Sequence, residues 1–255
     1  MRRLHLFLLA TAFLLGIVWN IQAQNFAVEF FGNVDDHVTA PDSDSLDIDG
    51  KAFTMEAWVF PTEIRDPEGI VINKEDSYEM AVWKGELKWA IAAPRWAWFG
   101  GGPVELNKWS HIAVTYDGDI SMGWVNGKKV SEDKQNKGNI IPRDGDASPF
   151  SVGWRAWGHH GPFSGIIDEV RVSDTVRYTK DFDVPEKEFE PDKNTRVLYH
   201  FNEGTGKKTK DFSGNKNEAE LIGGVKWVTS DVPIKPASVS IPDKLATTWC
   251  LIKSQ

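Results

Sequence analysis

Phe53-Thr-Met-Glu-Ala-Trp-Val59, Trp109-Ser-His-Ile-Ala-Val-Thr-Tyr-Asp-Gly118 and Phe163-Ser-Gly-Ile-Ile-Asp-Glu-Val-Arg-Val172 set the character of this chain. Period-two alternation runs through them, the spacing of strands that turn one face to a core. In the first, Phe53, Met55, Ala57 and Val59 fall on one face, and Thr54, Glu56, Trp58 and Phe60 on the other. Ile112, Val114 and Tyr116 share a face in the second. Further along, Met122-Gly-Trp-Val125, Asn126-Gly127 and Lys128-Lys-Val130 make a hairpin, because Asn-Gly supplies the two positive φ angles of a type I′ turn. More strands are expected at residues 70–73, 78–83, 87–92 and 150–153. No stretch carries a long helical repeat of apolar residues, so the class is all-β.

The three segments resemble the signature strands of the laminin-G-like, concanavalin-A-like jelly rolls. Ser45-Leu-Asp-Ile-Asp-Gly50 stands where that family has a Leu-x-hydrophobic-x-Gly turn before its first strand. Phe30-Phe-Gly-Asn-Val-Asp-Asp-His-Val38 is similar to the family's Phe-Asp-Gly-x-x-Asp-Tyr-Val opening. The resemblance implies a two-sheet antiparallel jelly-roll sandwich and leaves the ligand open, since this fold hosts many functions. Arg196-Val-Leu-Tyr-His-Phe201 and the residues from Asn202 to Trp227 look like the opening segment of many such modules, here placed last. Either they complete the same sandwich in permuted position or they begin a truncated second module. The first is preferred, because Tyr199, Phe201, Leu221, Ile222 and Trp227 otherwise lack a core.

The chain ends and the composition narrow the setting. Arg2 and Arg3, an apolar run from Leu4 to Trp19, and Ala23 in an Ile-Gln-Ala segment have the layout of a cleavable secretory signal. The run is short for a bilayer span of about 20 residues, and no stop-transfer pattern follows. Gln24, where a lipoprotein would have Cys, argues against a lipid anchor. The expected organisation is a signal at 1–23, one jelly-roll domain at 25–230 that includes the strands of 195–228, and a tail or linker at 231–255. The expected location is extracellular or in the cell envelope, with no membrane insertion after cleavage. Net charge is −8, and loss of Arg2 and Arg3 with the signal takes it to −10. Such acidity disfavours nucleic acid and anionic membranes and suits cation binding. With one cysteine, Cys250, no intrachain disulfide can form, so stability falls to packing and metal.

Candidate chemistry gathers in two places. By strand parity Asp168 shares a face with Ile166, Val170 and Val172, while Glu169 and Arg171 point the other way; Asp36 shares a face with Val34 and Val38. A buried carboxylate must be hydrogen-bonded, paired or metal-bound. The resemblance implies a structural calcium held by Asp168, Asp36 and the carbonyl of Gly32, with oxygen ligands suited to that hard ion. A second reading, that Asp168 accepts backbone N–H bonds at a strand end, stands beside it. On the parity reading Asp168→Ala costs far more stability than Glu169→Ala. The acid-rich Pro41-Asp-Ser-Asp-Ser-Leu-Asp-Ile-Asp-Gly50 lacks the order of a calcium loop and reads as a turn.

The second place is aromatic. Of 12 tryptophans, two clusters lie in loop-like sequence, Pro94-Arg-Trp-Ala-Trp-Phe-Gly-Gly-Gly102 and the run from Gly153 to Phe163. Trp96, Trp98, Trp154 and Trp157, beside Arg95 and Arg155, offer flat faces and hydrogen-bond forks of the kind that grip sugar rings. The alternative is that each ring packs on the sandwich. Trp58, Trp109, Trp124 and Trp227 match framework positions. His159-His160 lacks a third ligand at suitable spacing, so loop histidines are expected there. No Glu-x-Asp-x-x-Glu strand, nucleophile elbow, His-Glu-x-x-His or phosphate loop is present, which argues against a glycoside hydrolase, a polysaccharide lyase or another enzyme. The expectation is a secreted non-catalytic module that binds carbohydrate, with a protein-binding adhesion or assembly domain as the alternative; its partner is a glycan or an extracellular protein.

Overall fold

A computed structural model describes residues 24–64, 68–141, 148–155 and 161–235. The expected signal, Trp157, His159, His160 and Cys250 lie outside the described residues. Two antiparallel sheets face each other. In spatial order, sheet A runs β10 (Lys128–Asp133), β9 (Ser121–Val125), β8 (Ser110–Tyr116), β3 (Phe53–Pro61), β12 (Ser164–Ser173), β1 (Phe26–Phe31) and β16 (Lys226–Thr229), with β13 (Thr195–Tyr199) also on β12. Sheet B runs β14 (Lys208–Thr209), β15 (Ala219–Ile222), β2 (His37–Ala40), β11 (Phe150–Val152), β4 (Gly69–Lys74), β5 (Tyr78–Trp83), β6 (Glu86–Ile91) and β7 (Trp98–Pro103). This is the jelly-roll sandwich that the strand periodicity and the resemblance imply.

Alternation places the core. Phe53, Met55, Ala57 and Val59 of β3 meet Tyr78, Met80 and Trp89 of sheet B in one buried cluster. Trp89 is wholly buried there, and its indole N–H donates to Ser121 Oγ at 2.9 Å. The β9–β10 turn has Asn126 at φ 48° and Gly127 at φ 73°, the left-handed pair that Asn-Gly supplies most cheaply. The C-terminal strands join both sheets: β13 on β12, β16 on β1, and β15 on β2. Tyr199, Phe201 and Leu221 enter the common core, with Trp227 packed against it.

The parity of β12 is not continuous, and the reason is local. Its first half pairs with β1 and its second with β13, and its ladder to β3 shifts between Asp168 and Arg171. Glu169 sits at the break with φ 51°. A bulge of one residue swaps faces, so Ile167 before it and Val170 and Val172 after it reach the core, whereas Ile166 does not. Asp168 therefore keeps company with Ile166 on the outer side, and the expectation that it lies among the core residues is corrected.

That outer side of sheet A is closed by a third layer. Trp58 packs with Phe189, Leu198, Val232 and Ile234, and Trp124 packs with Tyr178 and Phe182. Beneath this cover Glu56 is fully buried, its Oε1 taking Arg171 Nε and Nη2 at 2.9 and 2.7 Å, its Oε2 taking Tyr178 Oη at 2.7 Å and lying 3.1 Å from His111 Nε2. The framework residues Trp58 and Trp124 are thus buried under the cover and not between the sheets. Among the described residues, the outer face of sheet B carries an aromatic groove.

Candidate functional site

On that face the residues are those that alternate with the core set: Glu79, Ala81 and Trp83 of β5, Lys88 and Ala90 of β6, Trp98 and Gly100 of β7. The register lines them up as Glu79–Ala90–Trp98 and Ala81–Lys88–Gly100. Small residues in both rows leave a depression between large ones. A groove of about 420 Å³ results, lined by Trp83, Lys84, Glu86, Lys88, Trp98, Phe99 and Gly100. Trp83 and Trp98 stand edge to face, centroids 5.5 Å apart and planes at 88°, and Trp96 meets Trp98 at 6.3 Å and 83°. All three rings are part exposed.

β7 can form the groove wall because of its glycines. Gly100 has φ 121°, and a Cβ there would stand 2.4 Å from the Leu87 carbonyl oxygen; at Gly102, φ 97°, one would stand 2.4 Å from Val130 Cβ. Any side chain at these positions would push β7 away from β6 or off β10. The Pro94–Gly102 cluster, expected as a loop, is thus in its second half an edge strand; its missing alternation comes from glycine, which has no side chain to alternate.

Arg155 reaches the same face with a different role from the one expected. Its Nε lies 3.0 and 3.2 Å from the Glu79 carboxylate oxygens, and its Nη2 lies 2.7 Å from both Glu79 Oε1 and Glu68 Oε2. The guanidinium carbon also stands 5.6 Å from the Trp98 ring centre. The fork is committed to two carboxylates and so braces Trp98 from beside the groove. Burial works against the charge on Arg155, but Glu79 and Glu68 outweigh it and hold the group firmly cationic. Burial pushes the Glu79 carboxyl up to about 8 against the pull of Arg155, since two acids share one cation. The folded form then keeps a proton that the unfolded chain releases near 4.5. This group's stabilisation is full below pH 4.5 and is lost as pH rises through 8. Arg155→Met removes the shared cation, so it is expected to lower the melting temperature more at pH 9 than at pH 5; an equal loss at both would contradict the shared-charge account.

The other expected residues are dispersed. Trp154 is 7 % exposed and stacks on His37 at 4.4 Å with planes 20° apart, which takes it away from the groove. Arg95 is exposed, and its carbonyl accepts from Asn136 Nδ2 at 3.0 Å. Trp157 lies outside the described residues. Trp83, Glu86 and Lys88 were missed in the sequence because they sit in an ordinary strand, hairpin and strand; the signal available was the outward parity of Trp83 and Lys88 beside two alanines.

The residues proposed for calcium do not meet. Gly32 follows Phe31, which pairs with Ser164, whereas Asp168 follows Ile167, which pairs with Val28. Five residue steps of ladder, about 17 Å, separate the two ends. Asp36 accepts from Gly224 N at 2.7 Å and Asn33 Nδ2 at 2.9 Å. Asp168 accepts from its neighbour Glu169 N at 2.9 Å and from Ser230 Oγ at 2.8 Å. Each carboxylate is met by N–H or O–H donors, as in the hydrogen-bonded reading of Asp168, and burial together with Glu169 pushes the Asp168 carboxyl well up. Glu169 is as deeply buried, taking Phe189 N and His200 Nδ1 at 2.7 Å each, so no large excess cost at Asp168 is expected. Among the described residues no group of three or more His, Cys, Asp or Glu is placed to hold a metal ion. In the acid-rich turn the cation is Lys74, 2 % exposed, whose Nζ bonds Asp42, approaches Asp47 at 3.2 Å and donates to Ser148 O at 2.7 Å.

The concanavalin A-like lectin/glucanases superfamily matches residues 31–181. The chain belongs to this superfamily. No curated protein matches the sequence. Among solved structures, a Bacteroides ovatus protein proposed to bind carbohydrate superposes with a TM-score of 0.66 at 21% identity, over 83% of this chain and 62% of its own. The present chain thus spans less than two thirds of that protein's length. The CBM40 of a Ruminococcus gnavus sialidase bound to α2,3-sialyllactose gives a TM-score of 0.47 at 12% identity, over 61% of this chain and 92% of its own. Domains LG4-5 of the mouse laminin α1 chain give 0.44 at 13%, over 58% and 42%. At these identities the likeness is one of fold.

Proposed function

We propose that this superfamily member is a secreted, non-catalytic module that binds carbohydrate on the outer face of sheet B. The observation that carries the proposal is the pair of part-exposed indoles, Trp83 and Trp98, walling one groove whose remaining lining is Phe99, Gly100 and the charged side chains Lys84, Glu86 and Lys88. Aromatic faces meet the C–H faces of a sugar ring, and flanking polar groups meet its hydroxyls. The carbohydrate-binding role proposed for the Bacteroides ovatus neighbour agrees with this. Glu68 and Glu79, buried acids on this face, are both bonded to Arg155, and neither lines the groove.

A protein partner is the second reading, favoured by Ile64, which is 48 % exposed and lies against Gly85 at the β5–β6 turn beside the groove. A glycan array and immobilised polysaccharides decide between them. Saturable binding to a glycan class, lost in Trp83→Ala and Trp98→Ala, supports the saccharide site. A blank panel from folded protein favours the protein partner. Running the panel in calcium and in chelator tests the structural calcium proposed from the resemblance. Unchanged binding is expected, since the groove's own lining supplies its contacts; loss in chelator would tie an ion to the site.

A further inference from the structure

Within the groove, Glu86 and Lys88 form a built polar element. Lys88 Nζ lies 3.0 Å from Glu86 Oε2 and donates to the Gly100 carbonyl at 3.2 Å. Lys88 is flanked in register by Ala81 on β5 and Gly100 on β7, and its side chain is 27 % exposed. An ammonium has three donors, and these two contacts use two; a carboxylate has about four acceptor positions, and Lys88 occupies one. A spare donor and a spare acceptor therefore lie side by side at hydrogen-bond spacing, next to the Trp83 and Trp98 walls.

Resting on the saccharide reading of the groove, we infer that the Glu86–Lys88 pair clamps a vicinal diol of a neutral sugar whose apolar face lies on an indole. Adjacent ring hydroxyls are themselves spaced close to hydrogen-bond distance, so one donates to Glu86 while its neighbour accepts from Lys88. The charge on Lys88 is balanced at 3.0 Å by Glu86, and the chain carries a net charge of −8. Neither feature favours an acidic glycan, whose carboxylate would compete with Glu86 for the same ammonium.

The test uses the full chain in calorimetric titrations with cellohexaose, xylohexaose and mannohexaose, and with hexagalacturonate as the acidic counterpart. The expected result is binding to a neutral member with little dependence on salt. Binding should fall tenfold or more in both Glu86→Leu and Lys88→Met, and it should be abolished once periodate has cleaved the sugar's vicinal diols. Both substituted residues are part exposed, so the variants should melt with the parent protein. Preference for hexagalacturonate with steep salt dependence would overturn the inference, as would failure of every neutral member to bind. If Trp98→Ala abolishes binding while Glu86→Leu and Lys88→Met leave it unchanged, the groove stands and the diol clamp falls. If neither the tryptophan nor the clamp variants alter binding, the groove reading itself fails.

Discussion

Trp83→Ala and Trp98→Ala will each weaken saccharide binding by about thirtyfold or more, the effect of truncating an aromatic hot spot, while the protein stays folded. Both rings are part exposed; Trp83 loses an edge contact with Trp98, and Trp98 loses edge contacts with Trp83 and Trp96. Trp98 also has Arg155 beside it, but that guanidinium keeps its two carboxylates when the ring is removed. Trp154→Ala should behave in the opposite way. Its ring is buried against His37, so truncation costs packing and lowers the melting temperature, with binding kept wherever the protein is folded. Titration and thermal melts of the three variants separate these cases. Unchanged affinity in both Trp83→Ala and Trp98→Ala would remove the groove from consideration.

The largest effect on stability is expected under the third layer. Glu56→Ala leaves the Arg171 guanidinium buried without its carboxylate and takes the acceptor from Tyr178 and His111. Breaking one side of a buried, hydrogen-bonded ion pair costs about 3–5 kcal/mol, which in a chain of this size lowers the melting temperature on the order of 10 °C. Burial by itself would raise the Glu56 carboxyl, but Arg171, His111 and Tyr178 outweigh it and bring it down to about 2 from 4.5. The sign follows from that depression: the contribution is present above pH 4.5 and is lost as pH falls toward 2. Denaturant unfolding of Glu56→Ala should accordingly show a shallower loss of stability on acidification than the parent. Glu132→Ala, which breaks exposed ion pairs with Lys129 and Lys134, is the control and should leave the melt unchanged. A similar small change in Glu56→Ala would mean that the third layer does not bury the pair as described.

Much of this architecture can be read from residues alone. Strict alternation in β3, the Asn126-Gly127 turn, and the apolar set Tyr199, Phe201 and Leu221 in need of a core lead to the two sheets and to C-terminal strands that join them. Two features defeat such reading for physical reasons. A single left-handed residue at Glu169 reverses the parity of β12, and period-two counting cannot see a bulge at a glutamate, a residue that does not signal a positive φ. Gly100 and Gly102 erase the alternation of β7, so a strand looks like a loop. Part of the site was legible, because Trp96 and Trp98 stand out in a Pro- and Gly-rich run. The rest was not: Trp83, Glu86 and Lys88 gain meaning only when register sets them beside Ala81, Ala90 and Gly100, and Arg155 shows its structural use only once Glu68 and Glu79 are brought to it.

The most direct test of a saccharide site on sheet B is a titration of the ¹⁵N-labelled protein with the bound oligosaccharide, following the indole N–H resonances. The signals of Trp83 and Trp98, assigned from their alanine variants, should shift progressively, and those of the buried Trp58, Trp89 and Trp124 should stay in place. Shifts confined to other indoles, or none at a saturating ligand concentration, would contradict the assignment of the groove.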